Sequence, residues 1–240
     1  MIRVGVLGAK GRMGATVCTA VDAAQDLELV ARIDEGDRLE GLRDAGAEVA
    51  VDFTTPAAVK HNVGFCLQNG IHAVVGTTGL GAQDLDELGS FTDQANLFVA
   101  PNFAVGAVLM MRFASEAAPH FDTAEIVERH HTSKLDAPSG TAVRTAMLMN
   151  ETRRQAWQVP AGSTDAVPRG LDVDGVRVHS LRVSGSVAHQ EVVLGSPGET
   201  LTIRHDSLDR GSFMPGVLLA VRRVGDLPGM TVGLEHLLDR

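Results

Sequence analysis

An α/β fold in two parts is predicted for this chain: a parallel, doubly wound sheet, followed by an α+β domain with a mixed, mostly antiparallel sheet. Three observations carry the expectation. Short β-branched runs alternate with helical spacings over the first hundred residues, strand-like runs joined by short polar turns dominate 176–205, and a helical pattern returns at 212–224. The 240 residues can bury a sizeable core without staples. Hydrophobic residues make up 44% and charged residues 21%, and no apolar run reaches the ~18 residues of a membrane span, so a globular protein without a membrane partner is expected. Thirty acidic against 21 basic residues give a charge of −9, which disfavours nucleic acid as a partner. An anionic ligand must then be held by a local cluster.

The spacing places strands at 2–7, 28–34, 49–53, 72–76 and 96–100, with helices at 12–24, 56–69 and 81–94 between them. Residues 35–48 are too short and glycine-broken to assign. Strand–helix alternation argues a parallel sheet with right-handed crossovers. Beyond residue 104 come a helix over 104–121, a strand over 122–131, a Pro/Gly loop and a helix over 140–155. A Gly/Pro/Asp-rich stretch at 160–175 precedes strands at 176–183, 187–194 and 199–205. If the 212–224 helix rejoins the first domain, the boundaries are 1–104 with 213–240 for one domain and 105–212 for the other. Met110, Met111, Met147 and Met149 sit at helix positions suited to filling core gaps. Cys18 and Cys66 fall in helical patterns, and the N-terminus enters a strand without a signal-peptide layout, so a reducing cytoplasm is expected.

Residues IRVGVLGAKGRMG (2–14) put Gly8, Gly11 and Gly14 after an apolar strand and at the opening of a helix. Backbone can there approach a pyrophosphate whose charge meets helix N-terminal N–H groups, a Rossmann-like arrangement. Gly8, Ala9, Lys10, Gly11, Arg12 and Met13 are the candidate contacts. Asp34, twenty residues past Gly14 at the end of the second strand, is placed to take ribose hydroxyls. The carboxylate favours NADH, whereas Lys10 and Arg12 could neutralise the 2′-phosphate of NADPH, so both cofactors stay open. The loops FTTP (53–56), GTTG (76–79) and APNF (100–103) close the third to fifth strands, where ligands of open α/β sheets bind. They add Phe53, Thr54, Gly76, Thr77, Thr78, Ala100, Pro101, Asn102 and Phe103 as candidate cofactor residues.

The segment EIVERHHTSKLDAPSGTA (125–142) gathers His130, His131, Lys134, Asp136, Ser139, Gly140 and Thr141. Successive strand residues face opposite sides, so at most one of the two histidines faces a given side. Pro138 followed by Ser139-Gly140-Thr141 resembles a helix start able to grip a carboxylate. A general acid, a cation and an anion cradle so close together suit a small anionic substrate. Adjacent strand histidines lack the single-face geometry of a metal pair, so no metal is expected. His179, His189 and His205 are candidate cleft-lining residues, while His61, His72, His120 and His236 have no chemical neighbours in the sequence.

GAKGRMG (8–14), VDFTTP (51–56), GTTG (76–79), APNF (100–103), HHTSKLDAPSGTA (130–142), RVHSLRVSGSVAHQEVVLG (177–195) and GETLTIRHDS (198–207) together resemble the 4-hydroxy-tetrahydrodipicolinate reductase (dihydrodipicolinate reductase) family, end to end. The resemblance implies reduction of a heterocyclic imine bearing two carboxylates, with loss of its hydroxyl as water, in the diaminopimelate route of lysine biosynthesis. It implies His130 as general acid, Lys134 pairing with a substrate carboxylate, His131 orienting the ring, and Ser139, Gly140 and Thr141 holding a carboxylate. It also implies a homotetramer built through the sheets of the substrate domain. Some NADPH-preferring members carry arginine just after the ribose-binding acidic residue; Glu35 stands there, which leans toward NADH or dual use. Two rivals compete with this reading. A non-catalytic NAD(H)-binding redox sensor leaves the 130–141 cluster idle, and a semialdehyde dehydrogenase would need a nucleophilic cysteine that Cys18 and Cys66 are badly placed to supply.

Overall fold

The computed structural model describes residues 1–158 and 169–238. The chain begins β1 (Ile2–Leu7), α1 (Arg12–Ala23), β2 (Leu27–Ile33), α2 (Glu40–Asp44), β3 (Val49–Asp52), α3 (Val59–Gln68), β4 (His72–Val75), α4 (Ala82–Gly89) and β5 (Leu97–Val99). It continues α5 (Val105–Ala117), β6 (Thr123–His130), α6 (Gly140–Thr152), β7 (Leu171–Val173), β8 (Val176–Arg182), β9 (Ala188–Ser196) and β10 (Glu199–Ser207). It ends with α7 (Met214–Arg223), β11 (Met230–Val232) and α8 (Glu235–Leu238). Two compact units result, one from Met1–Val105 with Arg210–Arg240, the other from Gly106–Asp209.

The first unit is a six-stranded sheet in the order β11-β5-β4-β3-β1-β2, parallel throughout. Its inner strands are short and largely apolar because both faces are covered, while the edge strand β2 carries the exposed Glu28 and Arg32. Leu7, Ala50, Ala73, Val75 and Leu97 pack with Val59, Val63 and Cys66 of α3 and Leu88 of α4. Alternate residues Val4, Val6, Val51, Val74 and Phe98 are also buried, and α1 and α7, which pack on each other, bring Val17, Val21, Val217 and Val221. The chain adds β2 on one side of β1 and β3 on the other, so the order reverses at the carboxyl ends of β1 and β3, where such folds bind ligands.

The second unit is a five-stranded sheet, β10-β9-β6-β8-β7, with β6 and β8 parallel and the other neighbours antiparallel. One face is buried. Ala124 and Ile126 of β6, Val192 and Leu194 of β9 and Val176 and Val178 of β8 pack with Ala114 of α5 and Ala142, Ala146 and Met149 of α6. The predicted architecture, a Rossmann-like parallel domain plus a mixed, mostly antiparallel one, is the one observed.

Four elements escaped the sequence reading: α2, β7, β11 and α8. All are three to five residues long, too short for a period to register. β11 adds the sixth parallel strand by pairing with β5. The 104–121 helix ends at Ala117 and tightens into a 3-10 turn at Ala118–His120, with Pro119 inside it. Met147 is a correction: it is 44% exposed, whereas Met110 and Met149 are buried. The loop expected at 160–175 lies largely outside the described residues.

Candidate active site

In the first unit the loop after β1 is shaped by glycine. Gly8 has φ +76°, and a Cβ there would meet the Phe53 carbonyl oxygen at 2.5 Å; a Cβ on Gly14 would stand 2.0 Å from the Gly8 carbonyl oxygen. Backbone, helix and the 53–56 loop are thus in contact, which leaves the loop bare toward a ligand. The N–H groups of Gly8 and Ala9 both donate to Ile33 O, and that of Gly11 donates to Gly8 O. Asp34 clamps the same loop: its Oδ2 accepts the Lys10 N–H at 2.5 Å and its Oδ1 the Glu35 N–H at 2.9 Å. The Lys10 hydrogen bond, then that from Glu35, hold the Asp34 carboxyl below the usual range, so it is ionised near neutrality.

A cleft of about 600 Å³ opens here, lined by Gly8, Gly11, Asp34, Glu35, Phe53 and Thr54 among others. Its size suits part of a dinucleotide. Ala57, Ala58, His61 and Asn62, from the start of α3 and just before it, complete the wall. Sequence reasoning passed over His61, because its helical spacing carried no signal of what it would face. Lys10 on the loop and Arg12 at the start of α1 are exposed.

Asp52 was also missed. It is 1% exposed, and its carboxylate accepts the Thr77 hydroxyl at 2.6 Å, the Thr54 hydroxyl at 2.8 Å, the Thr54 N–H at 3.0 Å and the Asn62 amide at 3.0 Å. One buried carboxylate therefore ties the 53–56 and 76–79 loops together. Glycine completes the join: a Cβ on Gly76 would meet the Phe53 ring at 2.2 Å and one on Gly79 the Pro56 side chain at 2.6 Å. In the 100–103 loop, Ala100 and Phe103 are buried, and Phe103 stacks at a tilt on Phe53 and Phe98. Thr77, Ala100 and Phe103 thus shape the loops from inside, while Thr78, Pro101 and Asn102 lie in the loop segments beyond the strand ends.

In the second unit, β6 delivers Glu128 and His130, two residues apart on one face. His130 Nδ1 stands 2.5 Å from Oε2 of the fully buried Glu128. A carboxylate can only accept, so Nδ1 carries the hydrogen and Nε2 is the atom left for other partners. Burial pushes the His130 imidazole below its ordinary pKa; the Glu128 bond and charge oppose this, and Lys134 and Arg182 add to the lowering. His131 lies past the strand end, exposed, its Nδ1 2.8 Å from Ser133 Oγ. Lys134 Nζ pairs with Asp136 at 2.8 Å. His130 ends β6, and Lys134 lies on the turn that follows it.

At the start of α6, Ser139 is engaged within the chain. Ser139 caps the helix, its Oγ accepting the Ala142 N–H, while its own N–H donates to Glu128 Oε1 at 3.2 Å. The Gly140 N–H supports the Asp136 carboxylate. Two carboxylates of the chain itself therefore meet this helix start, and Ser139 acts as cap and anchor. His179 and His189 are likewise committed, to Glu125 at 2.8 Å and Asp206 at 2.5 Å, and His205 packs on Gly106. Cys18 and Cys66 are buried free thiols; burial pushes Cys66 up to about 12 and raises Cys18, so neither is a nucleophile.

The family profile for the N-terminus of dihydrodipicolinate reductase matches residues 2–103, and that for its C-terminus residues 106–238. Proteins named 4-hydroxy-tetrahydrodipicolinate reductase are 57% identical in Nocardia farcinica and 55% in Mycobacterium marinum, with 99% of this chain and 99% of each relative covered. The one from Streptomyces coelicolor is 54% identical, over 99% of this chain and 98% of its own. Among solved structures, the dipicolinate-bound dihydrodipicolinate reductase from Paenisporosarcina sp. TG-14 superposes with a TM-score of 0.89 at 38% identity, covering 98% of this chain and 99% of that one.

Proposed function

Since this chain belongs to the dihydrodipicolinate reductase family, we propose that it reduces 4-hydroxy-tetrahydrodipicolinate to tetrahydrodipicolinate, with loss of water, in the diaminopimelate route to lysine. When bound, a nicotinamide dinucleotide supplies the hydride. The observation that carries the reading is the imidazole of His130 at the end of β6, backed at Nδ1 by a buried carboxylate, with the Lys134 ammonium on the turn that follows. Nε2 of His130 passes a proton to the ring as the hydride adds, and Lys134 turns from Asp136 to a substrate carboxylate, with His131 and the N-terminal turn at Gly140 and Thr141 orienting the rest. Gly8, Gly11 and Gly14, whose missing Cβ atoms leave the loop bare, fit a pyrophosphate, and Asp34 keeps a second lone pair on each oxygen for ribose hydroxyls. The redox-sensor alternative gives no use to the His130–Glu128 pair or to Lys134 on the next turn.

Both NADH and NADPH are read as usable, with NADH favoured by no more than about tenfold. Asp34, Glu35 and Asp37 line the cleft and oppose a 2′-phosphate, and the exposed Lys10 and Arg12 offset them. The first unit holds the dinucleotide and the second the dicarboxylate. Four copies assemble through the face of the second sheet that turns away from α5 and α6, where Glu125, Val127 and Arg129 alternate with the buried residues of β6. Two free thiols and the lack, among the described residues, of a helix able to cross a membrane accord with a cytoplasmic enzyme.

The test is oxidation of NADH or NADPH with enzymatically generated substrate. Turnover is expected in the wild type, and His130→Ala should lose ~10²–10⁴-fold in turnover while dinucleotide affinity holds. Tight dinucleotide binding without turnover by the wild type would overturn the assignment, and a loss under about tenfold in the variant would remove His130 as proton donor.

A further inference from the structure

Glu128 and Asp52 are the buried carboxylates among the described residues, one in each unit. A carboxylate taken out of water is costly unless it is paired and hydrogen-bonded. Glu128 meets that demand through Arg182, which the parallel pairing of β6 with β8 sets opposite His130. The guanidinium grips it as a fork, Nη1 to Oε2 and Nη2 to Oε1, both at 2.9 Å. The same Arg182 donates from Nε to Lys134 O at 3.3 Å and from Nη2 to Asp136 O at 2.5 Å. One ion pair thus touches the ring of His130, the turn that carries Lys134 and, through the Ser139 N–H, the start of α6.

We propose that Glu128 and Arg182 are positioning residues for the reduction: Glu128 holds His130 in the Nδ1–H tautomer with Nε2 presented to substrate, and Arg182 fixes that carboxylate and the Lys134 turn in one geometry. The inference rests on reading His130 as the proton donor. The charged groups facing the ring are Glu128 on its own strand, Arg182 from β8 and Lys134 from the following turn. Glu128 is the one that favours the imidazolium, working against burial and both cations. Without it, His130 would be protonated only at lower pH and could turn either nitrogen to the ligand. A role confined to neutralising Arg182 would leave the tautomer and the pH profile indifferent to the charge of residue 128.

The experiment uses the full-length enzyme with Glu128→Gln, which keeps length and acceptor oxygen but not the charge. Expected are a fall in kcat/KM of ~10–100-fold, a shift of the His130-dependent limb of its pH profile to lower pH, and NADH affinity within about twofold by fluorescence titration. In a His130→Ala background the same change should cost almost nothing further, because a positioning residue acts only through the group it positions. A folded Glu128→Gln enzyme with wild-type kcat/KM and pH profile, alongside a crippled His130→Ala, would overturn the positioning role and leave the proton-donor reading standing. A His130→Ala variant with near-wild-type turnover would overturn both. Nitrogen NMR of the imidazoles in the wild type decides the matter if Glu128→Gln does not fold: a proton on His130 Nδ1 supports the proposal, and a proton on Nε2 alone in the neutral ring overturns it.

Discussion

Replacing Asp52 by alanine should loosen the two loops after β3 and β4 together. Four donors converge on this carboxylate, and three of them have a second acceptor within reach. The Thr54 N–H also lies 2.7 Å from Thr77 Oγ1, the Asn62 amide 3.3 Å from Thr54 Oγ1, and the Thr77 hydroxyl 3.3 Å from the Asp52 carbonyl oxygen. Re-pairing puts the loss near ~0.5 kcal/mol for each of those three, and the Thr54 hydroxyl, left without its acceptor, near ~1.5, or ~3 kcal/mol in all. For a chain of this size that corresponds to a fall of ~6–12 °C in the thermal midpoint, at ~2–4 °C per kcal/mol. Because Thr54 lines the cofactor cleft, KM for the dinucleotide should rise at least about tenfold, with a smaller effect on kcat, the pattern of lost ground-state binding. Thermal melts with steady-state kinetics for both dinucleotides test this. A midpoint within about 2 °C of wild type and an unchanged KM would show that the Asp52 bonds are replaceable and that the loops keep their shape through Phe53–Gly76 packing alone.

Three further outcomes are expected. Lys134→Ala should weaken pyridine-2,6-dicarboxylate binding by ~1.5–3 kcal/mol in calorimetry, one charge-assisted contact, and unchanged affinity would detach Lys134 from the substrate. Replacing Lys10 and Arg12 together by alanine should raise KM for NADPH more than for NADH and blunt the salt dependence of NADPH binding; equal losses would mean that these side chains serve only the shared pyrophosphate or the loop. His72 accepts the Asn96 N–H at Nδ1, 2.8 Å, and burial lowers its pKa below 6.5. With the folded value below the unfolded one, its contribution is complete above about pH 6.5 and is lost as pH falls through the folded value, so His72→Gln should flatten the loss of stability between pH 7 and 5 in urea titrations.

Much of the fold and part of the site were legible in order along the chain. Period-two and helical spacings set the long elements, and the glycines at 8, 11 and 14, with Asp34 beyond them, marked a loop made for close approach. Those signals are local: a period or a missing Cβ acts within one element or one turn. His130 and Lys134 could be placed together on paper because only three residues separate them.

The partners of those residues are another matter. Glu128 reads as an ordinary charged strand residue, and only the packing of α6 over β6 buries it. Arg182 stands fifty-four positions away and reaches it because β8 lies parallel to β6. Asp52 ties two loops whose spacing says nothing of a shared carboxylate, and Ser139, which reads as an anion grip, turns its N–H inward to Glu128. By itself the sequence determined the types of the long elements, the glycine loop and much of the chemical inventory of the site, since these follow from local sterics and residue chemistry. Tertiary structure alone decided which carboxylates are buried, which cations answer them and which nitrogen of His130 is engaged by Glu128, because desolvation and hydrogen-bond pairing depend on what other segments bring within three ångströms.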